Sequence, residues 1–215
     1  MSVLKTVRIE FSKTGRAKYI SHLDLMRTMT RALRRADIPL WYTEGFNRHP
    51  YITFAAPLSL GYEGLCETMD LRLEEDMPDG ELAARLNAVM PEGLSVLSAH
   101  EAEQKPGALT SARYRLRLSC GEAELAAFLQ QPAMTVEKRT KKGTMKPVDI
   151  KPALASPALT ADGEGCTLEV TLPCSSAETV NPQLIRAALS AFLGRDVQMQ
   201  VTRTALFGPD GIPFR

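Results

Sequence analysis

The alternation of strand-like and helix-like stretches constrains this chain most, because one order of elements is run through and then repeated. Val7, Ile9 and Phe11 alternate with Arg8 and Glu10, the period of two that turns one side of a strand towards a core. A polar turn centred on Gly15 follows over 12–18, and Ser21 then stands as a helix N-cap with Asp24 three positions on, a variant of the capping box. Leu25, Met26, Met29, Ala32, Leu33 and Ala36 share one side of a helical wheel. Asp37 and Pro39 end that helix. Residues 40–46 are short and rich in aromatic side chains and read as a strand, 45–50 as a turn, and 51–54 could re-enter as a strand. Met69, Leu71 and Leu73 alternate with Asp70 and Arg72. Pro78 and Asp79 open a helix carrying Leu82, Leu86 and Val89, Gly93 stops it, and 94–99 reads as a closing strand.

The polar stretch 101–110, with its Pro-Gly pair, is the best linker. After it the order recurs. Tyr114, Leu116 and Leu118 alternate with Arg113, Arg115 and Arg117, and Leu125, Phe128 and Leu129 face inward from a short helix. Strand material flanks a basic loop within 134–150, and Leu168, Val170 and Leu172 form another alternating run. Asn181–Pro182 starts a helix that Gly194 ends, and Val197, Met199 and Val201 close the series before an irregular tail. Two successive strand–helix–strand–strand–helix–strand halves predict an α+β protein. It would comprise two tandem ferredoxin-like (βαββαβ) modules with antiparallel sheets, at 1–103 and 111–215.

Charge is distributed as unevenly as the elements are regular. The first fifty residues carry ten Lys and Arg against four Asp and Glu, and residues 51–110 carry three against eleven. The formal net charge of +1 therefore conceals two strongly polarised regions. Arg27, Arg31, Arg34 and Arg35 fall together on the helix side opposite the apolar one, a guanidinium stripe whose forked donors match phosphate oxygens. Lys13, Arg16 and Lys18 precede the stripe and Arg48 follows it. A second basic element, with Lys138, Arg139, Lys141, Lys142 and Lys146, surrounds Gly143. Neutralising several phosphates would release counterions and make binding salt-dependent. A solvated helix face and a solvated hairpin loop are the competing readings of these charges. The strand faces lack the paired aromatics of an RNA-recognition-motif sheet.

Several chemistries find no support. Cys66, Cys120, Cys166 and Cys174 form no close pair, which argues against zinc-finger and compact iron–sulfur motifs and for reduced thiols in the cytoplasm. No metal site is expected. There is no phosphate-binding loop, dinucleotide fingerprint or nucleophile elbow, and neither a signal peptide nor an apolar run of membrane-spanning length is expected. The one candidate acid–base set is His22, His49 and Tyr19, with Lys18 and Arg48 nearby, which could serve metal-independent RNA cleavage. The alternative is that His22 packs at the helix start and His49 braces its turn.

The stretch 7–73 resembles the opening of the radical-SAM-linked protein family, the DUF2344 family of uncharacterised bacterial proteins. The resemblance rests on F-S-K-T-G-R-A-K-Y-I-S-H-L-D-L (11–25), R-A-L-R-R-A (31–36), the turn at Gly45, Phe46, Asn47, His49 and Pro50, and P-L-S-L-G-Y-E-G (57–64) followed by M-D-L (69–71). Ser21, His22 and Asp24 belong to the same signature. The loop 141–152 also looks like a family feature. Arg48 departs from the usual proline at its position, loosening the turn and adding charge. The resemblance implies an accessory role beside a radical SAM protein, with the iron–sulfur cluster and S-adenosylmethionine in that partner and no cofactor in this chain. It supplies no catalytic residues. The leading expectation is an RNA-binding, partner-docking protein. A metal-independent endoribonuclease and a protein-only adaptor are the alternatives.

Overall fold

Strand β1 (Lys5–Lys13) buries Val7, Ile9 and Phe11 completely, so the alternation seen in sequence becomes one packed side of a sheet. The computed structural model describes residues 5–139, 143–154, 156–161, 165–175 and 177–215. Among them are four α-helices over largely antiparallel strands, a mixed α+β fold. Residues 1–109 with 206–215 form one unit, and 110–205 a second.

In the first unit β1 leads to helix α1 (His22–Arg35), the short β2 (Ile52–Phe54), β3 (Glu63–Leu73), helix α2 (Asp79–Asn87) and β4 (Leu94–Glu101). The strand order is β4-β1-β3, with β2 also paired to β3, and each of these pairings is antiparallel. Met69, Leu71 and Leu73 of β3 and Leu94 and Val96 of β4 join the β1 residues against Leu25, Met29 and Leu33 of α1 and Leu82 and Leu86 of α2. Successive strand residues point to opposite faces, so Arg8, Glu10, Thr68, Asp70 and Arg72 lie on the face away from the helices.

The second unit contains β5 (Ser111–Leu118), α3 (Glu122–Leu129), β6 (Thr135–Arg139), β7 (Met145–Asp149), β8 (Ala158–Ala161), β9 (Cys166–Pro173), α4 (Pro182–Leu193) and all but the last two residues of β10 (Met199–Phe207). Its strand order is β10-β5-β9-β8, while β6 and β7 form a separate two-stranded hairpin. Leu116, Leu118, Leu168 and Leu172 are buried, as are Leu125 and Phe128 of α3 and Ile185 and Leu189 of α4. The Asn181 side chain accepts from the Gln183 N–H at the start of α4, and Gly194, at φ 65°, ends it.

Two expectations about elements are corrected, and one strand is added. Residues 40–46 do not form a regular strand: their pairing is by isolated bridges, Leu40 to Leu73 and Tyr42 to Pro50, and β2 takes the ladder position beside β3. Gly45 at φ 116° turns the chain before a regular ladder can extend. Met26 does not face the core but is exposed, since it sits a hundred degrees of helical rotation beyond buried Leu25. The strand β8 went unread because its sequence, ALTA, has no strong apolar alternation.

Candidate nucleic-acid interface

Helix α1 begins as its sequence dictates. The Ser21 hydroxyl accepts from the Asp24 N–H at 3.1 Å and donates to Asp24 Oδ2 at 2.7 Å. That hydroxyl, and then Arg27, hold the Asp24 carboxyl below the usual carboxylate range. Opposite the buried residues, Arg27, Arg31, Arg34 and Arg35 are all exposed. Arg27 meets Asp24 at 3.2 Å, and Arg35 donates to the Val89 carbonyl at 2.8 Å, which leaves its charge unneutralised. Arg31 and Arg34 have no ion-pair partner among the described residues. The stripe thus presents four guanidiniums against one carboxylate, and that carboxylate is solvent-exposed, where an ion pair is worth little.

The turn before the helix is built differently from its charge pattern. Lys13 is buried, and its Nζ donates to the carbonyls of Lys18 and Ile20, each at 3.3 Å. It is therefore not available as a phosphate ligand, and the expectation that it is one is corrected. A buried ammonium needs acceptors, and here it fastens the 3₁₀ turn of residues 15–19 that leads into α1. Lys18 pairs with Glu63 at 3.5 Å and lies 5.4 Å from the Tyr19 ring centroid. Thr14 donates to the Gly93 carbonyl at 2.8 Å, and Arg16 stays exposed. At Gly64 an added Cβ would meet the side chain of buried Glu67, so any larger residue there requires that carboxylate to shift.

Residues 41–51 form a hairpin-like arm. Thr43 donates to the His49 carbonyl at 2.9 Å, and Tyr51 to the Trp41 carbonyl at 3.2 Å. His49 Nδ1 lies 2.9 Å from the Asn47 carbonyl and 3.1 Å from the Thr43 hydroxyl. At the root, Trp41 and Tyr51 meet edge-on at 6.2 Å, and the Arg72 guanidinium lies 4.2 Å from the Tyr51 centroid and 5.4 Å from that of Trp41. His22, by contrast, packs edge-on against Phe54 at 5.2 Å. The structure gives His22 and His49 separate partners; Tyr19, with its exposed ring, is held by neither.

In the second unit, Lys138 and Lys146 stand opposite each other in the β6–β7 register. Lys146 is exposed, and only the backbone of Lys138 and Arg139 is described; Lys141 and Lys142 lie outside the described residues. Asp149 Oδ1 closes the base of this hairpin by accepting from Met134 N at 2.8 Å and Lys151 N at 3.0 Å. Those N–H groups, Lys151 first, lower the Asp149 pKa. On β5, Arg113, Arg115 and Arg117 are exposed, but Arg115 pairs with Glu169 at 2.9 Å. A cleft of about 410 Å³ is lined by Arg117, Ser119, Gln198 and Gln200 among others. Burial pushes the Cys120 thiol up to about 11, the opposite of what a nucleophile requires.

Residues 6–182 match the model of a family described as "Uncharacterized protein conserved in bacteria (DUF2344)". The chain belongs to this family. No curated protein matches it. Among solved structures, this DUF2344 protein is similar to a chain in the crystal structure of a Cbf5-Nop10-Gar1 complex. The identity is 11% and the TM-score 0.53, over 95% of this chain and 50% of that one. The DUF2344 chain thus spans about half the length of that relative, and the likeness is one of fold. An unknown protein from Galdieria sulphuraria aligns at 12% identity over 94% of this chain and 99% of that one, with a TM-score of 0.30.

Sequence reasoning missed the most buried polar feature of the DUF2344 chain. Arg8 and Asp70, opposite one another in register, form a bidentate pair at 2.6 and 2.8 Å. Arg8 Nη2 also donates to the Gln104 carbonyl at 2.7 Å, and the guanidinium lies 4.1 Å from the Phe214 centroid. The partners are 62 positions apart in the chain; the only signal was a charge of each sign at the centre of an alternating strand. Arg72 between Trp41 and Tyr51 was missed for the same reason. Among the described residues no three His, Cys, Asp or Glu side chains converge as a metal site, and no helix is long and apolar enough to cross a membrane.

Proposed function

We propose that this DUF2344 protein is a non-catalytic RNA-binding and partner-docking protein that works beside a radical SAM enzyme. The observation that carries the reading is the outer face of α1, where Arg27, Arg31, Arg34 and Arg35 are exposed with a single carboxylate partner. Arginine is suited to this task because its charge persists at any relevant pH and its fork matches phosphate oxygens. Arg16 and Arg48, both exposed, add charge before and after the helix, and Lys146 marks the second basic element. The radical SAM partner follows from the family resemblance, and the iron–sulfur cluster and S-adenosylmethionine belong to that partner in this reading. The proposed setting is the cytoplasm, from the cysteine spacing.

In the same proposal each unit is a ferredoxin-like module. The order β4-β1-β3, with β2 beside β3, and the corresponding order β10-β5-β9-β8 support this, with the β6–β7 hairpin as an insertion in the second.

The test is to recover the tagged full chain from a bacterium that carries it, with and without ribonuclease, and to identify what accompanies it. RNA together with a radical SAM protein is the expected result. Recovery of neither overturns the proposal, and the enzyme without RNA reduces it to a protein adaptor. Cleavage of the bound RNA in EDTA, leaving a 2′,3′-cyclic phosphate and abolished by His22→Ala or His49→Ala, would replace it with the nuclease reading.

A further inference from the structure

The arm of residues 41–51 is the one signature element that the Arg stripe does not explain. Its root is fastened by the Trp41, Tyr51 and Arg72 cluster. Its middle is tied by the Tyr42–Pro50 bridge and by His49, whose Nδ1 sits between the Asn47 carbonyl and the Thr43 hydroxyl while its N–H lies 3.3 Å from the same hydroxyl. Gly45 takes φ 116° with open space where a Cβ would lie, so backbone conformation, not crowding, requires glycine there. What this shaped tip holds out is Phe46, whose ring is fully exposed. Burying a phenylalanine contributes about 1.5–3 kcal/mol, and the fold leaves that stabilisation unused.

The neighbours of the ring indicate what it meets. Glu44, Gly45, Asn47 and Arg48 are all exposed, so the tip offers no apolar surround of the kind that forms the centre of a protein–protein interface. An isolated aromatic ring beside an arginine is instead the composition of a base-stacking site, where the ring takes a nucleobase face and the guanidinium a phosphate. Arg48 has no ion-pair partner among the described residues. The chain leaves α1 at Arg35 and enters the arm at Trp41, a reach of roughly 20 Å at most, so the root of the arm stands near the C-terminal end of the stripe.

We propose that Phe46 is a stacking residue for an unpaired nucleobase, with Arg48 on the adjoining phosphate, and that the RNA this protein selects is therefore single-stranded at the arm. The inference rests on the RNA-binding reading above and gives that reading its substrate class. A base inside a duplex is stacked on its neighbours and offers no face to the ring, whereas the Arg stripe holds phosphates of either form. The stripe supplies sequence-independent affinity, and Phe46 supplies the preference for unpaired RNA.

Fluorescence anisotropy with a labelled single-stranded oligoribonucleotide and a blunt duplex of equal length tests this on the full chain. Phe46→Ala is expected to weaken single-strand binding by about 5- to 150-fold and to leave duplex binding and the salt dependence of both unchanged. Phe46→Trp is expected to retain the preference, which separates stacking from damage to the arm. Equal loss on both RNAs, or no loss on either, overturns the stacking assignment while the RNA-binding reading stands. Failure of the unmodified protein to bind either RNA at low salt ends both.

Discussion

Replacing Asp70 with alanine isolates the largest electrostatic commitment in the first unit. Arg8 and Asp70 are 0% and 4% exposed at their side chains, and the pair is bidentate at 2.6 and 2.8 Å. Asp70→Ala leaves a guanidinium buried without its counter-charge, with only the Gln104 carbonyl and the Phe214 ring for company. Breaking such a pair from one side costs about 3–5 kcal/mol, a large share of the roughly 5–15 kcal/mol that holds a domain together. At about 2–4 °C per kcal/mol for a chain of this size, the melting temperature should fall by roughly 6–20 °C. Replacing both partners with apolar residues, Arg8→Met with Asp70→Leu, should recover most of the loss, because desolvating both ions costs nearly what their attraction returns. The assay is thermal and urea unfolding of Asp70→Ala, of Arg8→Met and Asp70→Leu singly, and of the double variant, the last three read as a double-mutant cycle. An Asp70→Ala cost below about 1 kcal/mol, or a double variant no better than the singles, would refute the reasoning.

Two further outcomes follow from the same geometry. Gly93 lies at φ 85° and an added Cβ would stand 2.5 Å from the Thr14 carbonyl, so Gly93→Ala should cost about 1–3 kcal/mol from the backbone conformation alone and loosen the basic turn; hydrogen exchange at Thr14 N–H checks it, and an unchanged rate contradicts it. Asp149 has its pKa lowered by the Lys151 and Met134 N–H groups, so its contribution is present above the unfolded-state value of about 3.9 and is lost as the pH falls through the folded value. The stability difference between the unmodified protein and Asp149→Ala should therefore shrink between pH 6 and pH 3, and a difference that grows on acidification would reverse the assignment.

What could be read from the sequence was local. The Ser21 cap, the buried Leu25, Met29, Ala32 and Leu33 and the exposed arginines of α1 all follow from spacing along one helix, as do the Asn181–Pro182 start and Gly194 end of α4. What could not be read depends on contacts between distant segments. Lys13 looks like one more surface cation until β1, the turn and the start of α1 close around its ammonium. The aromatic run after α1 suggested a strand, yet Trp41 and Tyr51 are placed by Arg72 on β3, and the ladder position falls to residues 52–54. Residues 206–215 belong with the first unit, where Phe214 covers Arg8. No local pattern in the irregular tail announces that.

The central claim, that the α1 stripe binds RNA phosphates, is tested most directly by the salt dependence of binding. Affinity of the full chain for a single-stranded RNA should be measured across salt concentration beside a variant carrying Arg27→Gln, Arg31→Gln and Arg34→Gln, changes that keep good helix formers on an exposed face. Each lost phosphate contact on a single strand removes about 0.7 from the slope of log affinity against log salt. The account predicts weaker binding for the variant and a slope shallower by about 2. Equal affinity and equal slope for the two proteins would contradict it.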